Sequence, residues 1–306
     1  MHVISPNLSY LSETNHIQLS LTTMRTRLIS LLIPLMFTGL LLSCEGQKSY
    51  NSGKGKPAVT VKTQHLSDTS AFTMSNGERC FILADATIDY PVATASGASV
   101  DSLQRLFAVL VLESGDSLSL QQAMQQVVTN SMHQYDFMEE PPSAEVADEI
   151  NDIDEQRVLK YATSTRITPI YNQKGIVTFE RVDVVKKNDQ VTSVTHRYYS
   201  FDSETQTLID LGQLFRDDAL ADVCQLLRQQ LLKQNNASGN EQLNDLGYFN
   251  VENMTVTRNF YFDENGITWS YLPNELAVEA VGEPKVSISY SDLKPSACDG
   301  SIISRF

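Results

Sequence analysis

The chain has 306 residues, 42% hydrophobic and 20% charged, enough apolar material for two ordinary domains with their own cores. Its 37 acidic and 23 basic residues give a formal net charge of −14. That sign argues against nucleic acid as a partner, since phosphate backbones are held by clustered Lys and Arg; it favours a cationic protein or peptide electrostatically, although surplus negative charge more often serves only solubility.

Met24-Arg-Thr-Arg27 followed by the apolar run Leu28 to Leu42 has the basic start and short hydrophobic core of a secretory signal. The run is too short for a comfortable membrane span. It ends in Leu41-Leu42-Ser43-Cys44, which looks like the lipobox of bacterial lipoproteins, where the cysteine becomes the lipidated N-terminus. Residues 1–23 are therefore read as a start codon placed too early, 24–43 as a lipoprotein signal peptide, and 44–57, rich in Gly, Ser, Lys and Asn, as a flexible tether. The expected location is the bacterial cell envelope, with attachment to the membrane through Cys44. Cys80, Cys224 and Cys298 remain, an odd set that leaves open whether one disulfide forms among them.

The folded part is read as two domains, 58–154 and 155–295, with a tail at 296–306. In the first, Ala58 to Val61 and Arg79 to Tyr90 read as strands, the second stopping at Pro91. Val100 to Leu112 places Leu103, Leu106, Phe107 and Leu110 on one helical face, and Leu118 to Met138 aligns Leu120, Met124, Val127, Val128, Ser131 and Tyr135. The acidic, proline-bearing run Glu139 to Asp148 reads as a loop.

The second domain opens with strands at Arg157 to Tyr171, Gly175 to Lys186 and Val191 to Phe201. Links as short as Asn172 to Gly175 and Lys187 to Gln190 predict an antiparallel meander. Asp217 or Asp218 is placed to cap a helix with Leu220, Cys224, Leu227 and Leu231 on one side. The closing stretch, Val256 to Leu293, reads as a hairpin, a proline corner and a returning strand. A type I′ turn at Asn265-Gly266 would set Phe262 opposite Trp269 and Phe260 opposite Tyr271. Strands and helices in separate runs, without β–α–β alternation, predict an α+β fold: two domains, each an antiparallel sheet packed with one or two helices.

The blocks Phe201-Asp202, Leu211-Gly-Gln-Leu-Phe215, Leu243 to Phe249, Asn259-Phe-Tyr-Phe262, Gly266-Ile-Thr-Trp-Ser-Tyr-Leu-Pro-Asn-Glu-Leu-Ala277 and Val286-Ser-Ile-Ser-Tyr290 carry a resemblance. Over about residues 155–294 the chain resembles the extracellular domain of the RsiV-type anti-sigma factors, a domain shared by many bacterial lipoproteins. The stretch around Ile88-Asp-Tyr-Pro91 is similar to the domain that precedes it there and that sits at the N-terminus of some peptidoglycan deacetylases. The resemblance implies an exported, non-catalytic module, with lysozyme the known ligand of the anti-sigma branch. The chain departs from the family in two places. The usual Gly-Gly-Ala-His element has no counterpart near Lys187 to Thr192, and Asn274-Glu275 stands where Tyr-Glu is usual.

Chemistry-bearing motifs are sparse. Gly115-Asp-Ser-Leu118 reproduces the nucleophile block of the GDSL esterases, but Ser117 lacks the downstream Asp-x-x-His that would supply its base, and a helix-spaced run precedes it instead of a strand. The five histidines are isolated, and Asp148 to Glu155 lacks the glycine and terminal glutamate spacing of a calcium loop, so neither a metal nor another cofactor is expected. Paired carboxylates need only spatial proximity and stay open. The residues singled out for partner contact are those of the proline corner, Tyr271, Leu272, Pro273, Asn274 and Glu275, with closure of the core as the alternative for Tyr271 and Leu272. The expectation is a non-catalytic envelope protein that binds a lysozyme-like protein or peptidoglycan. The alternative is an envelope hydrolase using Ser117 or paired carboxylates.

Overall fold

Six strands form one sheet in the order β1 to β6, and three more form a second, smaller one. The computed structural model describes residues 56–74, 78–115, 117–135 and 158–306. The expected signal peptide, Cys44, most of the tether and the acidic runs between 139 and 155 lie outside these residues. No helix of the described residues is long and apolar enough to cross a membrane.

Strands β1 (Val59–Thr73) and β2 (Arg79–Thr94) make a long antiparallel ribbon, well beyond the short strands expected. β1 is an edge strand, so its polar residues from Lys62 onward need no apolar alternation to hold the ladder. Pro91 does not stop β2. It lies opposite Val61, beside a bulge and beyond the last pair with the next strand at Ile88, where a missing N–H leaves no gap in a ladder.

The chain then passes through two helices and returns as β3 (Val158–Gln173), which pairs with β2 in parallel. Parallel neighbours require such a crossover. One β–α–β connection is thus embedded in an otherwise antiparallel sheet, a departure from the separate runs expected. The α+β class holds, with the boundary drawn at 154/155 falling between two hydrogen-bonded strands of one sheet. Strands β3, β4 (Ile176–Lys187) and β5 (Gln190–Asp202) form the expected meander, and β6 (Thr207–Leu208) adds two residues at its end. Both links are two-residue turns with positive φ throughout, Lys174-Gly175 at 54° and 75° and Asn188-Asp189 at 50° and 64°, the type I′ geometry that matches strand twist.

Helix α1 (Asp101–Leu106) runs into a π-helical turn, Phe107–Val111, in which Leu112 N donates to Phe107 O at 3.1 Å. The wider turn rotates the buried stripe to Leu103, Phe107, Ala108 and Val111, leaving Leu106 and Leu110 half-buried. Helix α2 (Leu120–His133) starts at a Ser119–Gln122 capping box. It lays Ala123, Met124, Val127 and Val128 over β1 and β2. With Ile88, Ile167, Val177, Phe179 and Phe201 these side chains make the first core.

The second core belongs to the C-terminal elements. Helix α3 (Leu211–Leu214) is capped by Asp210, and α4 (Leu220–Gln234) follows a 3-10 turn, Asp217–Ala219. Asp217 and Asp218 form that turn instead of capping α4, whose N-cap position is Ala219. The buried line of α4 is Val223, Leu227 and Leu231, with Leu220 and Cys224 on its flank. After α5 (Asn240–Asp245), strands β7 (Phe260–Phe262), β8 (Gly266–Ser270) and β9 (Lys285–Ser289) form the small sheet, followed by α6 (Tyr290–Leu293).

The hairpin register differs from the expected one. Phe260 pairs with Trp269 and Phe262 with Ile267, and neither Asn265 nor Gly266 takes positive φ. Asp263 makes the turn instead, its Oδ1 accepting from Asn265 N (2.6 Å) and Gly266 N (2.9 Å). Gly266 is needed because β9 crosses close by: a Cβ there would lie 2.0 Å from Ile288 O. A two-residue shift preserves side-chain parity, so Phe260, Phe262, Ile267 and Trp269 still share the buried face. Residues 296–306, read from the sequence as a tail, complete this core. Phe306 stacks on Tyr290 at 3.7 Å, and Arg305 Nη2 lies 2.6 Å from Asp202 Oδ2.

Candidate functional site

The small sheet is fastened to the large one along the outer edge of β5. β6 pairs with that edge only at Phe201 and Asp202, and Ile209 N reaches Ser200 O, so among the described residues the backbone from Gln190 to Tyr199 has no strand hydrogen-bonded to it on the side away from β4. Asn259, just before β7, takes a strand's place at one point. Its Oδ1 accepts from Tyr198 N (2.8 Å), while Nδ2 donates to His196 O and to Ser270 O (both 3.1 Å). Glu283 Oε1 accepts from His196 N (2.8 Å). Side chains thereby satisfy the backbone that a missing strand would otherwise leave unpaired.

Beneath this seam, Glu180 Oε1 lies 3.0 Å from His196 Nδ1 and accepts from the Tyr198 hydroxyl at 3.1 Å. Lys285 Nζ donates to the same hydroxyl at 2.8 Å and sits over the rings of Tyr198 and Tyr261. Burial, and then the Glu180 carboxylate, pushes the Tyr198 phenol well up from its ordinary value, so it stays a neutral donor to Glu180. Each named group is engaged with another, and the arrangement acts as a polar joint.

Past His196 the seam opens into a groove of about 580 Å³. One wall is the free start of β5, with Val191 56% and Val194 38% exposed. The other is the loop between β8 and β9, which contributes Pro273, Asn274, Glu279 and Glu283. Val278 and Val281 are exposed on the same loop.

The proline corner therefore divides. Tyr271 is 2% exposed and donates its hydroxyl to Thr255 O at 2.9 Å, inside the aromatic core. Leu272 is half-buried, its N–H held by exposed Glu275 Oε2 at 2.9 Å. Pro273 and Asn274 line the groove, Asn274 with φ 63°. The β5 wall was missed from sequence. Its only signal is a pair of valines, Val191 and Val194, in an otherwise polar edge segment.

Ser117 is exposed in the turn leading into α2, and Asp116 of its motif lies outside the described residues. His196 belongs to the joint on β5. Among the described residues no group of three or more His, Cys, Asp or Glu gathers to hold a metal. Cys224 and Cys298 are thiols, and Cys224 Sγ approaches Met254 O at 2.6 Å. A second charged cluster ties the π-helical turn to the sheet. Buried Arg181 reaches Val111 O (2.9 Å), Glu113 (3.0 Å) and Asp183 (2.9 Å), and Arg197 closes on Asp183 at 3.1 Å.

Residues 212–291, from α3 to the start of α6, match the family model described as Protein of unknown function (DUF3298). This segment carries the loop wall of the groove; the β5 wall precedes it. No curated protein matches the chain. Among solved structures the chain is similar to a member of the DUF3298 family from Bacteroides fragilis NCTC 9343, at 18% identity and a TM-score of 0.63, covering 82% of this chain and 98% of that one. A DUF3298 family protein from Pseudomonas aeruginosa PAO1 aligns at 10% identity with a TM-score of 0.44, covering 78% of this chain and 94% of that one. The first likeness is one of fold, and it extends well beyond the matched segment.

Proposed function

We propose that the protein is a lipid-anchored module of the bacterial cell envelope that binds a protein or cell-wall ligand and carries out no reaction. The observation that carries this reading is the groove, where an open strand edge, exposed valines and two glutamates face one another across a space large enough for a peptide or a glycan. The basic start, apolar run and Cys44 support export and anchoring, and the blocks shared with the RsiV-type ectodomains support a sensing or capturing role. The hydrolase alternative would need a base beside Ser117, and His196 is committed to Glu180 in the joint.

Calorimetric titration of the full chain with lysozyme and with peptidoglycan fragments tests the binding half. Heat of binding with at least one is expected, and its absence with both would overturn the reading. Metabolic labelling with palmitate tests the anchor: label in the wild type that is lost in Cys44→Ala is expected. Turnover of an ester or glycan that disappears in Ser117→Ala would replace binding by catalysis.

A further inference from the structure

We propose that the outer edge of β5 at Ser193–Thr195 accepts an extended, lysine- or arginine-bearing segment of a partner protein as an added strand, with Glu279 and Glu283 facing its positive side chains. The inference rests on the binding function above and names how the groove is used. His196 directs both its N–H and its C=O toward the outer edge, where Glu283 and Asn259 take them. Backbone direction repeats every second residue along a strand, so Val194 points its N–H and C=O the same way, into the groove. The protein already fills the adjacent part of this edge with side-chain substitutes for a strand, and among the described residues the substitutes stop at Val194.

Several features define the occupant. A bulge between Val191 and Ser193 ends the regular edge, so the added strand is short, comparable to three-residue β7, and Val191 and Val194 offer apolar contacts beside it. The groove's charge is acidic. Among the described residues neither Glu279 nor Glu283 is in an ion pair, while the lining lysine, Lys285, is turned onto Tyr198 and Tyr261. A net charge of −14 adds long-range attraction for a basic partner. Solvent-exposed strand edges are usually blunted by Lys or Pro, and Val191 to Thr195 contains neither.

The test is fluorescence anisotropy of the full chain with a labelled ten-residue peptide alternating lysine and valine. Controls are its glutamate–valine counterpart and a lysine–valine peptide N-methylated at every second residue. The lysine–valine peptide is expected to bind, the glutamate–valine peptide about tenfold or more weakly, and the N-methylated peptide to lose binding because it cannot donate to the edge. The double variant Glu279→Gln, Glu283→Gln should weaken binding by about tenfold and flatten its salt dependence, while the amide oxygen introduced by Glu283→Gln still accepts from His196 N. Protection of the Val194 amide from hydrogen exchange should appear with the peptide. No binding of the lysine–valine peptide, equal binding of the glutamate–valine one, or unchanged affinity after N-methylation overturns strand addition. Lysozyme and peptidoglycan titrations run beside it separate the two readings. If either ligand still binds while the peptide does not, strand addition falls and the binding function stands; if neither binds, both fall.

Discussion

Around α1, α2 and the long strands, the buried side chains are mostly Ala, Val, Leu, Ile and Met, with Phe107 set edge-on against Phe179 at 4.9 Å. Around Trp269 aliphatic side chains are still the majority, but large rings are more frequent: Tyr171, Phe215, Phe260, Phe262, Tyr271 and Tyr290 join Trp269, with Phe306 packed beside them. Strands of 12 to 16 residues bring continuous ladders of backbone hydrogen bonds, and helices can lie on them with small side chains at close approach. Strands of three and five residues bring few such bonds. The C-terminal unit replaces them with large buried rings and with side-chain-to-backbone bonds, including Asp263 in the turn, Tyr290 to Asp263 O and Tyr271 to Thr255 O. Regularity stabilises the first region, and particular residues stabilise the second.

The contrast is broken most severely at Gly266. In Gly266→Val the Cβ would fall 2.0 Å from Ile288 O, and the expected loss is about 4 kcal/mol or more, read as a collapse of the urea midpoint. Near-UV circular dichroism, which reports the aromatic unit, should fall first. A variant as stable as the wild type would show that the small sheet tolerates a displaced β9.

Asn259→Ala comes next, because it removes one fastening of the seam between the two regions, leaving Glu283 and Lys285 in place. Three backbone groups lose a partner, and the expected cost is about 2–3 kcal/mol. Faster hydrogen exchange at the Tyr198 amide should accompany it.

Alkaline pH tests the aromatic side. Tyr198, Tyr271 and Tyr290 are all raised from the ordinary phenol value of 10.0, in each case chiefly by burial. Above that value the unfolded chain releases these protons while the folded chain keeps them, so stability is fully present below it and is lost as pH rises. The expected slope is about 1.4 kcal/mol per pH unit for each such phenol. Urea midpoints should hold up to about pH 10 and fall above it, and Tyr271→Phe should flatten the fall.

The smallest effect is expected in the regular region. Ser119→Ala removes one cap from α2 and should cost about 1 kcal/mol, read in the thermal midpoint.

Much of this protein was legible without coordinates, where a local rule suffices. The meander from Val158 to Asp202 follows from alternation and two-residue links, and the buried faces of α2 and of the closing hairpin follow from periodicity. Half of the groove was also visible: Pro273 and Asn274 stand out as an apolar-polar corner between strands. Its other wall was not, because Val191 and Val194 matter only through the strand that fails to cover them.

The amino-acid order by itself determined which residues prefer strand or helix, which side of each element is apolar, and that the surface is acidic. Tertiary structure decided the parallel pairing of β2 with β3, the two-residue slip of the hairpin, and the meeting of Glu283 and Asn259 with the edge of β5. The reason is that strand partners, register and shared edges depend on contacts between distant chain segments, such as the hydrogen bond from Val59 N to Asn172 Oδ1 across 113 residues, and local preference does not encode such distances.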